Sequence, residues 1–316
     1  MPMPDFDALI RELHNERFAV FEADVVRKAE LKKRAHKNES VRSPRRQAFL
    51  KSIGIDPKLV AAEEKGDAKH DGKALDAFLK EARAKVASRK SMRAQDARWA
   101  GIRTATLNEA SHMVLNPYAA SIFSTAADIA ELYDGESGTG AINSGWVFPS
   151  DPAHIKIKDG GHIATVCFEA YAEGPPPTFT AEFCFVPATT ATYDMTAVLA
   201  FHGFIVLRSD DGYFSCRHAH ARLKVQMNVH QYVDHGWKDF EPVIDRYEEN
   251  VEEVVSYDHT KFFDYQADLR AGDPVVVTVK GTLDAMGVGG YTYAELNFEA
   301  GTANYIWPLF LSVGQL

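Results

Sequence analysis

The chain of 316 residues is 46% hydrophobic and carries a formal net charge of -9, a composition that suits a globular protein with a packed core. No apolar run approaches the ~20 residues of a membrane span, and the N-terminal MPMPDFDALI lacks the basic-then-apolar pattern of a secretory signal. The three cysteines, Cys167, Cys184 and Cys216, do not make a disulfide framework in a chain of this length. We therefore expect a soluble, cytoplasmic protein without a membrane span.

The charge is unevenly distributed along the chain. Residues 1–110 contain 24 Lys and Arg against 17 Asp and Glu, whereas residues 111–316 contain 11 against 27. A basic and an acidic segment in one chain predict self-association, or contact between the basic segment and an acidic protein surface. Nucleic acid is the weaker alternative, because no signature of a nucleic-acid-binding module accompanies the basic residues.

Residues 1–133 are predicted to form a helical, basic association region. Apolar residues recur at helical spacing over residues 5–37, and a second stripe follows at Leu75, Phe78, Leu79, Ala82 and Val86. Interruptions are expected at Ser43-Pro44, at Gly54, over the polar segment 66–72, and before Pro117, from which another helix is expected to run through Ile122 and Phe123.

Residues 134–145, DGESGTGAINSG, are predicted to be a flexible linker because they are rich in Gly and Ser. The apolar period then changes from about 3.6 to about 2 residues, so residues 146–316 are predicted to form an antiparallel β-sandwich, jelly-roll-like in size. The fold class is therefore α+β. Strands are expected at Ile163–Tyr171, Phe179–Val186, Asp273–Leu283, Tyr291–Phe298 and Thr302–Val313, while Asp239–Val255 fits a helix, an edge strand or a loop.

The stretch Ala197–Tyr232 is predicted to be one long β-hairpin. In its second half the odd positions are apolar and the even positions polar, as in a strand with one buried face. A three-residue loop at Asp210-Asp211-Gly212 aligns the apolar faces of the two strands and places His202 opposite His220.

Three histidines of this hairpin, His202, His218 and His220, are the candidate metal ligands, since converging imidazoles can bind zinc, iron, nickel or copper. The spacing of Gly212, His218 and His220 resembles the front half of the first metal motif of the cupins. That resemblance implies a metal-dependent enzyme with a divalent transition metal. The glutamate of the cupin motif has no counterpart here, and Arg222 and Lys224 on the same face favour the alternative of a solvent-exposed or subunit-contacting face.

A second hairpin, with Cys167 opposite Cys184, places Glu169 opposite Glu182 on the outer face of the sheet. Paired carboxylates can exchange protons or bind calcium. The alternatives are exposure to solvent or a cation supplied by another segment, and we expect the thiols to be reduced.

No standard catalytic signature is present, neither G-x-S-x-G, H-E-x-x-H, C-x-x-C nor a dinucleotide-type glycine motif. The leading hypothesis is a non-enzymatic structural or assembly protein without a cofactor, whose helices associate and whose sandwich forms a surface. One alternative is a module that binds carbohydrate or another small ligand through Trp146, Tyr291 and Tyr293, because aromatic rings stack on sugars. The other alternative is the cupin-like enzyme.

Overall fold

The fold was analysed in a computed structural model, which describes residues 4–54, 56–124, 143–147, 155–160, 176–209, 217–288, 292–299 and 303–316. Two antiparallel β-sheets pack face to face and enclose the main hydrophobic core. The predicted antiparallel β-sandwich is therefore confirmed. The jelly-roll likeness of its strand order stays a prediction, as do the domain boundaries, and most of the predicted linker lies outside the described residues.

Three helices precede the sandwich: α1 (Phe6–Ser52), α2 (Pro57–Ala87) and α3 (Arg93–Glu109). Asp5 caps α1, because its carboxylate accepts a hydrogen bond from the Ala8 amide, and Asp56 caps α2 in the same way through Lys58. Gly54, with φ of 78°, occupies the turn between the two helices, as predicted. None of these helices, over the residues described, is long and apolar enough to cross a lipid bilayer.

Two of the predicted helix interruptions are wrong. Helix α1 continues through Pro44, and α2 includes the polar segment 66–72. A proline costs ~3 kcal/mol and a glycine ~1 kcal/mol inside a helix, and long flanking runs of Ala, Lys, Glu and Arg offset single penalties of that size. The expected continuation through residues 88–106 is divided by a non-helical connection at Ser88–Met92, after which α3 begins.

The strands of the sandwich are β1 (Met113–Leu115), β2 (Ala119–Ser124), β3 (Asn143–Val147), β4 (Ile155–Gly160), β5 (Thr178–Phe185), β6 (Ala191–Ser209), β7 (His218–Gln231), β8 (Val233–Asp239), β9 (Ile244–Glu248), β10 (Val251–Leu269), β11 (Val275–Val288), β12 (Tyr293–Phe298) and β13 (Tyr305–Gln315). Sheet A has the order β1-β13-β6-β12-β4, with β10 on the other side of β6. Sheet B has the order β3-β2-β5-β11-β7-β8, with β9 also pairing with β7.

Two parts of the chain differ from the expected secondary structure. The helix predicted from Pro117 is wrong, because Ala119–Ser124 forms β2 and pairs with β5. Periodicity does not separate helix from strand in such a short apolar run. The ambiguous stretch Asp239–Val255 contributes to three strands, and the long strand β10 that follows was missed although Phe263, Tyr265, Ala267 and Leu269 alternate with exposed residues.

The outer faces of both sheets are covered by helices. Helix α1 packs Ile10 against Ala119 and Val276 on sheet B. On sheet A, α2 packs Phe78, Ala82 and Val86 against Phe204 and Val206, and α3 packs Trp99, Ala100 and Leu107 against Val198, Ala200, Leu309 and Phe310. The predicted apolar stripe of α2 is thus confirmed, and β6 is buried on both of its faces.

Candidate functional site

The three histidines predicted to share a metal do not come together. Strand β6 pairs with β10, β12 and β13 in sheet A, whereas β7 pairs with β8, β9 and β11 in sheet B. The predicted hairpin is therefore wrong, and His202 and His220 lie in opposite sheets. Within the described part of the chain, no group of three or more His, Cys, Asp and Glu side chains is arranged to hold a metal ion.

His202 lies at the centre of a buried polar cluster between the α2 and α3 contacts on sheet A. Its Nδ1 is 2.7 Å from Asp258 Oδ1, and its Nε2 is 2.8 Å from Asp96 Oδ2, the second contact without hydrogen-bond alignment. The hydroxyl of Tyr305 donates to Asp96 Oδ2 at 2.8 Å. Burial, together with this bond to Asp96, raises the pKa of the Tyr305 hydroxyl.

Arg89 completes the cluster from the connection between α2 and α3. Its guanidinium pairs with Asp258 and donates to the Gly203 carbonyl at 2.8 Å. Burial lowers the pKa of Arg89. Through these contacts the connection between α2 and α3 is bonded to the outer face of β6 and to β10. The cluster is an anchor for the helices, and its imidazole faces packed protein.

The other two histidines lie on β7 with separate partners. His218 stacks on Tyr247, with ring centroids 4.5 Å apart, and burial lowers its pKa. His220 Nε2 is 2.9 Å from Asp245 Oδ1, a contact that lowers the pKa of the Asp245 carboxyl. Arg222 lies on the same side of that carboxylate, with Nε 3.7 Å from Asp245 Oδ2. Both imidazoles therefore lie on the outer face of sheet B, each with its own partner.

Glu182, predicted to lie opposite Glu169, is paired with a cation from another segment. It lies on the outer face of sheet B but is only 1% exposed, because α1 covers it. Arg17 donates from Nη1 to Glu182 Oε1 at 2.5 Å and from Nη2 to Thr278 Oγ1 at 2.7 Å. Burial raises the pKa of the Glu182 carboxyl, and Arg17 opposes that shift. Glu169 and Cys167 lie outside the described residues.

The sequence analysis missed Arg17 and Asp96, yet both carry a recognisable signal. Arg17 shares the apolar stripe of Ile10 and Phe21, and Asp96 shares that of Trp99 and Ala100. A charged residue on the buried stripe of a helix requires a partner on the surface that the helix covers. The partners come from distant strands, which only the fold could identify.

Of the predicted aromatic ligands, only Tyr293 has a described side chain. It is 8% exposed, packs with the α2 cluster, and donates to Glu295 Oε2 at 2.5 Å, so its ring is not open to a ligand. Tyr291 lies outside the described residues, and of Trp146 only the backbone position in β3 is described. The proposed role of these two residues stays a prediction.

Beyond Phe21, α1 has no buried residue among its described side chains. We refer to residues 22–52 of α1 as the arm. Val26 and Phe49 of the arm, and Ile53 in the turn that follows, are 60%, 61% and 52% exposed. At ~1.5 Å per residue the arm is roughly 45 Å long. At its described positions the arm therefore presents exposed apolar side chains.

A cleft of about 520 Å³ opens between the edge strand β8 of sheet B and the edge strand β10 of sheet A. Tyr265 holds the two edges together, because its hydroxyl donates to the carbonyls of His235 and Gly236 at 3.1 and 3.0 Å. Lys238 adds a bond from its ammonium to the Asp264 carbonyl at 2.5 Å. The polar lining consists mainly of Asp194, His235, Lys238, Asp264 and Gln266, with Trp237 beside them.

Comparison with known proteins gives no assignment. No model of a protein family matches the chain, and a search of curated proteins gives no significant match. Among solved structures, a family 35 carbohydrate binding module from Clostridium thermocellum is similar over 51% of this chain and 92% of its own, with 10% identity and a TM-score of 0.16.

An isomalto-dextranase of Arthrobacter globiformis T6 complexed with panose matches over 52% of this chain and 22% of its own, with 12% identity and a TM-score of 0.16. The PA14 domain of the antifreeze protein MpAFP matches over 63% of this chain and 92% of its own, with 10% identity and a TM-score of 0.16. At these scores the likenesses carry no argument about fold or function.

Proposed function

We propose that this protein is a non-enzymatic structural protein that forms homo-oligomers through the arm, with the sandwich as the surface of the assembly. The observation that carries this proposal is the arm itself: α1 continues from Phe21 to Ser52, and none of the arm's described side chains is buried. A helix in a protein gains most of its stability from packing of an apolar face rather than from intrinsic propensity. Such an arm is therefore stabilised by a partner surface.

The distribution of charge supports a second copy of the chain as the partner. The arm contains 10 Lys and Arg against 4 Asp and Glu, while residues 111–316 contain 11 against 27. Opposite charges on two copies favour association and bring the exposed apolar residues Val26 and Phe49 to the contact. Two ion pairs, Arg17 with Glu182 and Arg89 with Asp258, connect the helical region to the strands of the sandwich.

Sedimentation of the full chain over a range of protein concentrations tests the proposal. We expect a defined oligomer for the natural sequence, and a lower oligomeric order for the Val26→Asp, Phe49→Asp double variant. Val233→Asp is the matched control, because Val233 is a similarly exposed valine, 63% exposed, that belongs to β8 and not to the arm. The control should sediment like the natural protein.

A natural protein that stays monomeric at high concentration, in low and in high salt, would overturn the proposal. So would an oligomer that survives in the double variant. The sedimentation is repeated after nuclease treatment, and dissociation in that experiment would assign the basic arm to nucleic acid instead of to a second copy.

A further inference from the structure

The cleft between β8 and β10 has the features of a ligand site that is separate from the arm. Its volume of about 520 Å³ falls within the range of ~300–1,000 Å³ that is common for ligand clefts. Its walls are strands, and the Tyr265 and Lys238 contacts fix their spacing. The Tyr265 side chain that joins the two strands is 8% exposed and belongs to the hydrophobic core, so the spacing of the strands does not depend on a ligand.

The polar groups of one wall form a prearranged set on β6 and β10. Gln266 lies opposite Asp194 in the strand register and donates to its Oδ1 at 3.2 Å. Asp264 lies opposite Thr196 and accepts a hydrogen bond from its hydroxyl at Oδ1, at 2.7 Å. Each carboxylate has two oxygens that accept hydrogen bonds, so both retain acceptor capacity toward the cleft. Gln266 keeps donor capacity beside them.

Charge and chemistry narrow the class of ligand. Two carboxylates face one lysine, whose ammonium is already engaged by a carbonyl, so an anion would be repelled. Alternating acceptors and donors at neighbouring positions suit vicinal hydroxyl groups, each of which both donates and accepts. The ring of Trp237 is already engaged, because Lys280 Nζ lies 4.1 Å from its centroid.

We propose that this cleft binds a neutral carbohydrate, with Asp194, Asp264 and Gln266 recognising its hydroxyl groups. The site does not include the arm, so it is independent of the proposed assembly. It also differs from the aromatic set Trp146, Tyr291 and Tyr293 that sequence alone suggests.

An array of neutral oligosaccharides, comprising glucans, mannans, galactans and xylans, is probed with the full chain, and calorimetry then measures the affinity for the strongest binder. Asp194→Ala and Gln266→Ala should each weaken binding by about tenfold or more, because each removes hydrogen bonds that include a charged or strongly polar group. Asp268→Ala is the control. It lies on the same face of β10 and bonds to Thr192, but it does not line the cleft.

Thermal melting of each variant confirms that the fold is retained, and Asp194→Asn supplies a second, isosteric variant if the alanine variant unfolds. The absence of binding to every oligosaccharide on the array would overturn the proposal. Binding to spermine without binding to any sugar would assign the carboxylates to a cation and overturn it as well. If Asp268→Ala weakens sugar binding as much as Gln266→Ala does, the sugar binds outside the cleft and the proposal is wrong.

Discussion

Two buried acidic residues, Glu182 and Asp96, and the half-buried Arg89 lie where the helical segments meet the sandwich. Each is paired across the interface between a helical segment and a sheet, with Arg17, His202 and Asp258 respectively. Such pairs add little net stability over apolar packing, yet breaking one leaves a buried charge without compensation. The main effect of these pairs is therefore to fix the position of each helix on its sheet. Their contribution to net stability is small.

Removing Arg17 alone tests this account. We expect Arg17→Met to lower the free energy of unfolding by ~3–5 kcal/mol, and the Arg17→Met, Glu182→Met double variant to recover most of that loss, because the second change removes the unpaired carboxylate. Chemical denaturation of the two single variants and the double variant measures the coupling. Strictly additive losses would contradict the predicted pairing.

The pH dependence of Arg17→Met follows from the raised pKa of Glu182. A carboxyl whose pKa is higher in the folded than in the unfolded state stabilises the fold when it is protonated, so its contribution is lost as pH rises through the two pKa values. Without Arg17 the upward shift is larger, since the opposing charge is gone. The variant should therefore regain stability on acidification, and the gain should be absent from the double variant in the same melts.

At the scale of elements, strand β6 organises sheet A. Its odd residues from Ala197 to Leu207 enter the core between the sheets, while its even residues contact α2, α3 and the His202 cluster. Gly203 is required at its centre, because an added Cβ would lie 2.5 Å from a ring carbon of Phe298 and 2.6 Å from the Asn297 carbonyl oxygen. The backbone contact cannot be relieved by a change of rotamer.

Two glycine-to-alanine changes should have opposite effects. Gly203→Ala should lower the free energy of unfolding by ~1–3 kcal/mol, because the added methyl group overpacks the contact with Asn297 and Phe298. Gly101→Ala, on the exposed side of α3 where nothing lies within 4 Å of the added Cβ, should stabilise the protein by up to ~1 kcal/mol. Thermal denaturation of both variants checks the signs. A neutral Gly203→Ala would mean that β6 and β12 are less closely packed than described.

At the scale of the whole molecule, helices cover both outer faces of the sandwich, and the basic arm extends from one of these contacts. Attraction between exposed charges is screened beyond ~10 Å at moderate salt. If the arm of one copy contacts the acidic sandwich of another, the oligomer should weaken as salt concentration rises. Sedimentation in a salt series measures this effect. An association that strengthens with salt would instead indicate an apolar contact between arms.

The local patterns of the sequence were enough to predict the sandwich class, the apolar stripe of α2 and several strands. A strand with one buried face repeats every two residues and a helix about every 3.6, so these features are local and visible in a single chain. The run around His202 also carried a usable signal, since an almost uninterrupted apolar segment is typical of a strand buried on both faces.

Neighbour relations were decided only by the tertiary structure. Alternation shows which face of β6 and of β7 is buried, but both strands can face the same core from opposite sheets, and the predicted hairpin overlooked that possibility. The partners of Arg17 and Asp96, and the cleft between β8 and β10, arise from segments that are far apart in sequence. No local period encodes such contacts, because they depend on how the two sheets and the helices pack together.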